Sequence, residues 1–401
     1  MGSSTGLKRN QFILLMGALT TLVPFTIDMY LPAFPILADV YETNASSVQL
    51  SLTACLLGLA IGQLIAGALS DMHGRRKPLL ISLVAYIVAS IACIFAPNIY
   101  LFVFLRFIQG LAASGGLVIS RAIVRDVSSG PELTRLFALL MVIGNLVPLI
   151  APSIGSGVLL FADWKGIFML LTTLGIVLLL LSAFRLTESL PSEKRVPSNL
   201  KSTFGNFAGI LRNRQFTGYA LAQGFLIGGV FAYVSGTPFI YQNIYGTSPQ
   251  MFSVLFGMNG IGLIMGSYAV GRFSYRWSEK KLLETALYTA TLAGAVLLAV
   301  VFIQGPLWAV VIPIFFFIMS IGVVGTASFT LAMESQGHVA GSASALLGLL
   351  PFILGAATAP LVGIAGENTA VPMGLVIFSM CTIALLAYLL LAKNTPSSTA
   401  N

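Results

Sequence analysis

The sequence predicts an all-α integral membrane protein of twelve transmembrane helices arranged as two six-helix bundles. Of its 401 residues, 57% are hydrophobic and only 8% are charged. The mean hydropathy of +0.94 lies far above that of soluble domains of this length. Apolar runs of about 20 residues, enough to cross a hydrocarbon core about 30 Å thick, recur along the whole chain.

These runs are drawn at 11–36, 46–70, 78–96, 98–122, 133–160, 164–186, 216–242, 249–271, 281–303, 306–332, 340–364 and 371–393. The longest polar stretch, from Glu188 to about Arg214, mixes Pro, Ser, Lys and Glu as a linker does, and it divides the spans six and six. The expected organisation is an N-terminal bundle over residues 1–187, a cytoplasmic linker over 188–214 and a C-terminal bundle over 215–401.

Short cytoplasmic loops carry an excess of Lys and Arg. With both termini on the cytoplasmic side, only Lys165 falls on the outer side, and only Arg106 falls well inside a span, the other Lys and Arg lying in the termini, in inner loops or at inner span ends. The net charge of +8 is then a topology signal, and no nucleic-acid partner is expected. The first apolar stretch is longer than a signal-peptide core and lacks a small-residue cleavage site, so it is expected to remain as helix 1. Cys55, Cys93 and Cys381 stand alone in apolar helices without disulfide or metal spacing.

Function classes narrow by chemistry. The two histidines, His73 and His338, lie in loops, and no intramembrane carboxylate pair or nucleophile with its base is present. A membrane-embedded enzyme is therefore disfavoured. No Gly-rich phosphate cradle followed by Lys and Ser or Thr occurs, so ATP is not the expected energy source. No cofactor and no metal are expected.

Two charged residues break the apolar pattern: Asp28 in helix 1 and Arg106 in helix 4. A charge at the centre of a membrane helix costs roughly 3 kcal/mol on insertion scales, so such residues usually mark an ion or substrate pathway. Asp28 is about 24 Å along its helix from the cytoplasmic end and Arg106 about 12 Å from the outer end, which places both in the outer half of the membrane. They are expected to pair. Burial favours the neutral acid and a nearby guanidinium favours the carboxylate, so a change in their separation would move a proton on or off Asp28. Arginine stays charged throughout. Asp28 is the expected proton carrier, Arg106 its modulator, and the proton the coupling ion.

The loop Gly67-Ala-Leu-Ser-Asp71-Met-His-Gly74-Arg75-Arg76-Lys77-Pro78 has the makings of a gate. Gly67 is expected to allow close helix packing and Gly74 a tight reversal. Asp71 is expected to pair with Arg121 or Arg125 at the inner end of helix 4, or to face a helix N-terminus of the other half. The stretch around Gly266 to Lys281 keeps the glycines and basic residues without the acid, as a diverged duplication would. Helix 5 carries Gly144-Asn145-Leu-Val-Pro148-Leu-Ile-Ala-Pro152-Ser-Ile-Gly155-Ser-Gly157, where Pro148 and Pro152 remove backbone donors on one face and invite bending.

The 67–78 loop resembles the signature of major facilitator transporters, with Met72 where that family usually has a basic residue. Arg106-Phe-Ile-Gln109-Gly110 resembles the family's second motif, in which an intramembrane arginine is linked to proton movement. The helix 5 stretch resembles the antiporter motif of exporters, with Ala151 and Ser156 where glycines are usual. Ile27-Asp28-Met29-Tyr30-Leu31-Pro32-Ala33, Arg121-Ala-Ile-Val-Arg125-Asp126 and Glu334 to Ser344 together resemble the bicyclomycin-resistance (Bcr/CflA) type of drug:proton antiporter.

That resemblance implies the two-bundle major facilitator fold with binding near the midplane, and a bacterial cytoplasmic (inner) membrane location. It further implies a usually monomeric state and export of chloramphenicol-, florfenicol- or bicyclomycin-like drugs against inward proton flow. Small-molecule sites are mostly apolar with a few polar groups. The candidate lining residues are Phe25, Tyr30, Gln109, Asn145, Phe231, Tyr233, Tyr241, Gln242 and Asn259. With one acid well inside a span, mostly neutral amphipathic drugs are expected over strong cations. The partners are then small drugs, protons and the lipid bilayer. A substrate:proton symporter for uptake of a small metabolite is the alternative on the same scaffold, since fold does not fix direction.

Overall fold

A computed structural model describes residues 9–195, 207, 209–334 and 340–393, without the side chains at 131, 134, 138, 145, 194 and 340–342. Among these residues twelve helices are long and apolar enough to cross a membrane. They are α1 (Arg9–Asp28, prolonged through a 3-10 turn at Leu31–Ala33 into Phe34–Val40), α2 (Ala45–His73), α3 (Arg76–Ile94), α4 (Ile99–Val127), α5 (Gly130–Val158) and α6 (Trp164–Arg185). In the second half they are α7 (Arg214–Phe239), α8 (Pro249–Phe273), α9 (Glu279–Phe302), α10 (Leu307–Glu334), α11 (Ala340–Thr358) and α12 (Val371–Ala387).

The sequence-drawn spans and these helices agree to within a few residues except at four C-terminal ends, of which α11 and α12 each stop about six residues short and continue as a 3-10 turn (Ala359–Gly363) and a π turn (Tyr388–Ala392). α4 runs on to Val127, so Arg125 and Asp126, past the drawn end at 122, are helical as well. Nothing stops it earlier: the first breakers are Ser128-Ser129-Gly130-Pro131, and Gly130 takes a φ of +57°. α1 ends at Asp28, where Pro32 and Pro35 deprive the following turns of two backbone donors.

The chain clusters into two compact units, Met1–Thr43 with Leu50–Asn199, and Asn44–Gln49 with Leu200–Asn401. In the first, α1 packs on α4 and α5, and α3 on α4 and α6; in the second, α7 packs on α10, α11 and α12, and α10 on α8 and α9. Both units contain a crossing that only glycine permits. A Cβ on Gly58 of α2 would fall on the Phe107 carbonyl of α4, and one on Gly110 of α4 on the Cys55 carbonyl of α2. A Cβ on Gly266 of α8 would meet the Met319 carbonyl of α10, and one on Gly322 of α10 the Leu263 carbonyl of α8. Gly67, expected to be a packing glycine, is not one: a Cβ there would meet Val118 at an ordinary 3.7 Å.

Candidate functional site

The break after Asp28 shapes the first unit's polar centre. A helix C-terminus leaves carbonyls without intrahelical donors and carries a partial negative charge, so it suits a cation. Arg106 of α4 takes that role. Its Nη2 donates to the Thr26 carbonyl at 2.8 Å, Nη1 donates to Gln109 Oε1, and the guanidinium lies 4.0 Å from the Tyr30 ring centre and 5.7 Å from that of Phe168. Gln109 passes the chain on through Nε2 to Ser90 Oγ at 2.7 Å, while Tyr30 meets Ser51 at 3.2 Å. Thr26 and Tyr86 join hydroxyls at 2.9 Å. Helices α1 to α4 are thus tied together around one guanidinium.

Asp28 and Arg106 are both buried, 6% and 0% exposed, but they do not pair. No ion pair within 4.0 Å joins them among the described residues. The expected direct bridge is corrected by this geometry: the free carbonyl end of α1 and two aromatic faces hold the guanidinium instead. α5 abuts the same break, since a Cβ on Gly155 would fall on the Met29 carbonyl, which gives that residue of the helix 5 stretch a physical role. α5 stays helical through Pro148 and Pro152.

The charge network at the other end of the unit differs from the expected one. Gly74 takes a φ of +85° and reverses the chain, as its place in the loop predicts. Arg75 is thereby turned inward to 3% exposure, donating to Asp71 at 2.5 Å, to Ser70 at 2.9 Å and, from Nε, to Asp126 of α4 at 2.7 Å. Asp71 therefore pairs within its own loop. Arg121 and Arg125 form no ion pair among the described residues, and Asp126, one position on, is the acid that reaches across. At 100° per residue, a one-position error on a helix end is a different face.

Glu188, read from sequence as the start of a free linker, caps α3. Its carboxylate accepts from the Arg75 amide at 2.7 Å and the Arg76 amide at 3.1 Å, two donors a helix N-terminus leaves open. Ser189 adds a bond to Asp126 at 3.2 Å. Burial by itself would raise the Glu188 pKa, but the amides of Arg75, Leu190 and Arg76 outweigh it and hold the carboxyl below its ordinary 4.5. For Arg75, burial works against the charge, and the bonds to Asp126 and Asp71 more than restore it.

Of the candidate lining residues, Tyr30 and Gln109 are buried in the Arg106 network, and Phe25 is half-buried on α1. The Asn145 side chain and residues 335–339 of the Glu334 to Ser344 stretch lie outside the described residues. In the second unit Asn259 of α8 donates to the Tyr233 hydroxyl of α7 at 3.0 Å, and the Tyr233 ring stacks on Phe256 at 5.2 Å. Asn259 Oδ1 and the Tyr241 hydroxyl are buried without a hydrogen-bond partner among the described residues. Phe231 lies against Phe352, and Gln242 is half-buried.

Residues 16–360 match the Major Facilitator Superfamily. The chain belongs to that family. A relative named "Uncharacterized MFS-type transporter YdgK" from Bacillus subtilis (strain 168) is 54% identical over 391 residues, 97% of each chain. The "Bicyclomycin resistance protein homolog" of Haemophilus influenzae is 30% identical over 387 residues, 96% of this chain and 97% of its own. The crystal structure of a bacterial homologue of the human lysosomal transporter Spinster, inward-facing and occupied, aligns with a TM-score of 0.75 over 97% of this chain and 98% of that one. At 14% identity, that likeness speaks for the fold alone. This chain is thus a multi-pass major facilitator transporter of the bicyclomycin-resistance type and not an enzyme.

Proposed function

We propose that this major facilitator protein exports small amphipathic, mostly neutral antibiotics of the chloramphenicol, florfenicol or bicyclomycin kind in exchange for protons, with Asp28 carrying the proton and Arg106 setting when it is held. The observation that carries this reading is a carboxyl group buried at the break in α1, next in chain to a helix end occupied by a buried guanidinium. Charges inside spans are expensive and are functional by default. The likeness to a bicyclomycin resistance protein homologue supports the drug class.

The cycle follows from two positions of one cation. With Arg106 resting on Thr26, Asp28 lacks a countercharge, an arrangement that suits the protonated acid. Drawing the guanidinium onto Asp28 suits the carboxylate and releases the proton. Protonation from outside accompanies drug release, and deprotonation inside readies the protein for the next drug molecule. One charge crossing the membrane potential contributes about 2.3 kcal/mol per 100 mV, so drug and proton must each favour one state over the other and not merely bind.

In this reading the residues available to a drug within the first unit are Phe25, Tyr30, Gln109 and Asn145, and those within the second are Phe231, Tyr233, Tyr241, Gln242 and Asn259. The Asp71, Arg75, Asp126 and Glu188 network is the inner latch, with Gly74, Arg76, Pro148 and Pro152 shaping the elements that move. The protein acts as a monomer in a bacterial inner membrane with both termini cytoplasmic, the side on which the basic loops gather.

Purified protein in proteoliposomes with an imposed pH gradient, given labelled chloramphenicol, florfenicol and ethidium, tests direction and coupling together. Drug should move against the proton gradient, with the neutral drugs favoured over the cation. Drug moving with the protons would establish the symporter, and no response to the gradient would remove proton coupling.

A further inference from the structure

A furrow of about 360 Å³ opens between α2 and α3, floored by Leu111 and Ala112 of α4 and walled by Leu69, Ile81 and Ala85. A second furrow of about 520 Å³ shares Ile81 and Ala85 with it and continues along α3 as far as Ala92. From Lys77 to Ala92 the path is about 22 Å long at 1.5 Å per residue. That exceeds half of a hydrocarbon core about 30 Å thick, so an acyl chain of one leaflet fits within it. Ile81 and Val88 on its rim are each 60% exposed, as residues facing hydrocarbon are.

The mouth of the furrow is basic. His73 and Lys77 line it, and both are exposed. The neighbouring cations are already engaged: Arg75 by Asp71 and Asp126, and Arg76 by the Ala183 carbonyl at 2.6 Å. Lys77 has no ion pair among the described residues. His73 donates from Nδ1 to the Leu69 carbonyl at 3.3 Å, which leaves Nε2 of the neutral ring an acceptor, so the donor to an anion at this mouth is Lys77. One end of the cleft offers an ammonium without an ion pair among the described residues; the rest offers hydrocarbon.

We infer that this furrow holds one anionic glycerophospholipid, its phosphate on Lys77 with His73 beside it and one acyl chain laid between α2 and α3. Basic pockets between membrane helices select anionic headgroups, by roughly fivefold for each basic residue near the surface. A zwitterionic headgroup brings its own cation and forfeits that preference. The site is separate from the Asp28 and Arg106 centre and does not depend on the drug reading. Its position between α2 and α3 places the lipid beside the Arg75 latch.

The test is native mass spectrometry of the full-length protein with an equimolar mixture of dioleoyl phosphatidylglycerol and dioleoyl phosphatidylcholine. The protein should retain phosphatidylglycerol at least fivefold over phosphatidylcholine. Lys77→Gln should bring the ratio to within twofold of parity, Ala85→Phe should reduce lipid retention of both kinds, and Lys281→Gln, at the start of α9, should change neither. A phosphatidylglycerol bearing a photoreactive acyl chain should label peptides containing residues 62–69 and 81–85 of the unaltered protein. An unchanged ratio in Lys77→Gln, unchanged retention in Ala85→Phe, or label found only elsewhere would each overturn the inference, and the labelling arm needs no variant to fold.

Discussion

The first unit buries an acid and two guanidinium groups, Asp28, Arg75 and Arg106, whereas among the described residues the buried polar side chains of α7 to α11 are the uncharged Ser235, Thr237, Ser253, Asn259, Ser320, Ser328 and Thr358. The glycine-mediated crossings α2 with α4 and α8 with α10 are built alike, so the difference lies in the chemistry and not in the scaffold. The loop ends differ in the same sense. The first unit closes its α2–α3 loop with Arg75 between two acids, while in the second the ion pair joins the chain after α12 to α9, through Lys393 and Glu284 at 2.5 Å. Two halves of similar architecture thus differ in what they bury, one charged groups and the other neutral hydrogen-bonding groups, and the proposed function gives the first the proton and the second the drug.

Substitutions at four sites, with Arg125 as a control, break or sharpen that contrast. The largest effect is expected from Asp28→Asn, which should abolish drug accumulation driven by a pH gradient, a loss of at least about 100-fold, measured in proteoliposomes at equal protein content. An equally severe loss of coupling from an uncharged residue of the second unit would erase the division. Next, Asp126→Ala leaves the buried Arg75 with only the half-exposed Asp71 as countercharge, and losing one charge-assisted bond costs about 2 kcal/mol. Thermal unfolding should show that loss, and Asp126→Glu should recover part of it, whereas Arg125→Ala should leave stability nearly unchanged.

A smaller effect is expected from Asn259→Ala, which removes the bond to Tyr233 and the buried Oδ1. About tenfold weaker apparent affinity for drug should follow, with the pH profile of transport unmoved. A shifted profile would assign proton chemistry to the second unit as well. The smallest is Glu188→Gln, worth about 1 kcal/mol as a lost helix cap. Because the folded-state pKa of Glu188 is depressed, its contribution to stability is present above the ordinary value of 4.5 and is lost as the pH falls through the folded value. The difference between wild type and Glu188→Gln should therefore shrink on acidification in that window, as read by unfolding midpoints.

The spans were legible because length and apolarity alone decide them: a helix must satisfy its own backbone in hydrocarbon. Asp28 and Arg106 were legible for the complementary reason, as charges where charges are costly. Their relation to each other was not, since it depends on α1 ending at Asp28, and the sequence marks that break only through Pro32 and Pro35. Those prolines free the carbonyls of residues 28 and 31, four positions back, and so mark the break without marking Thr26, whose carbonyl meets the guanidinium. Partner choice at helix ends was likewise hidden. Asp126 sits beside Arg125 in sequence but on another face, and Glu188 looks like linker composition until its two amide bonds are seen.

Proton release on drug binding tests most directly whether Asp28 is the titrating group. Purified wild type in weakly buffered detergent solution should release protons when saturating chloramphenicol or florfenicol is added, and Asp28→Asn, shown to bind the same drug, should release none. Equal release from both proteins would contradict the role given to Asp28 and place the coupling proton elsewhere.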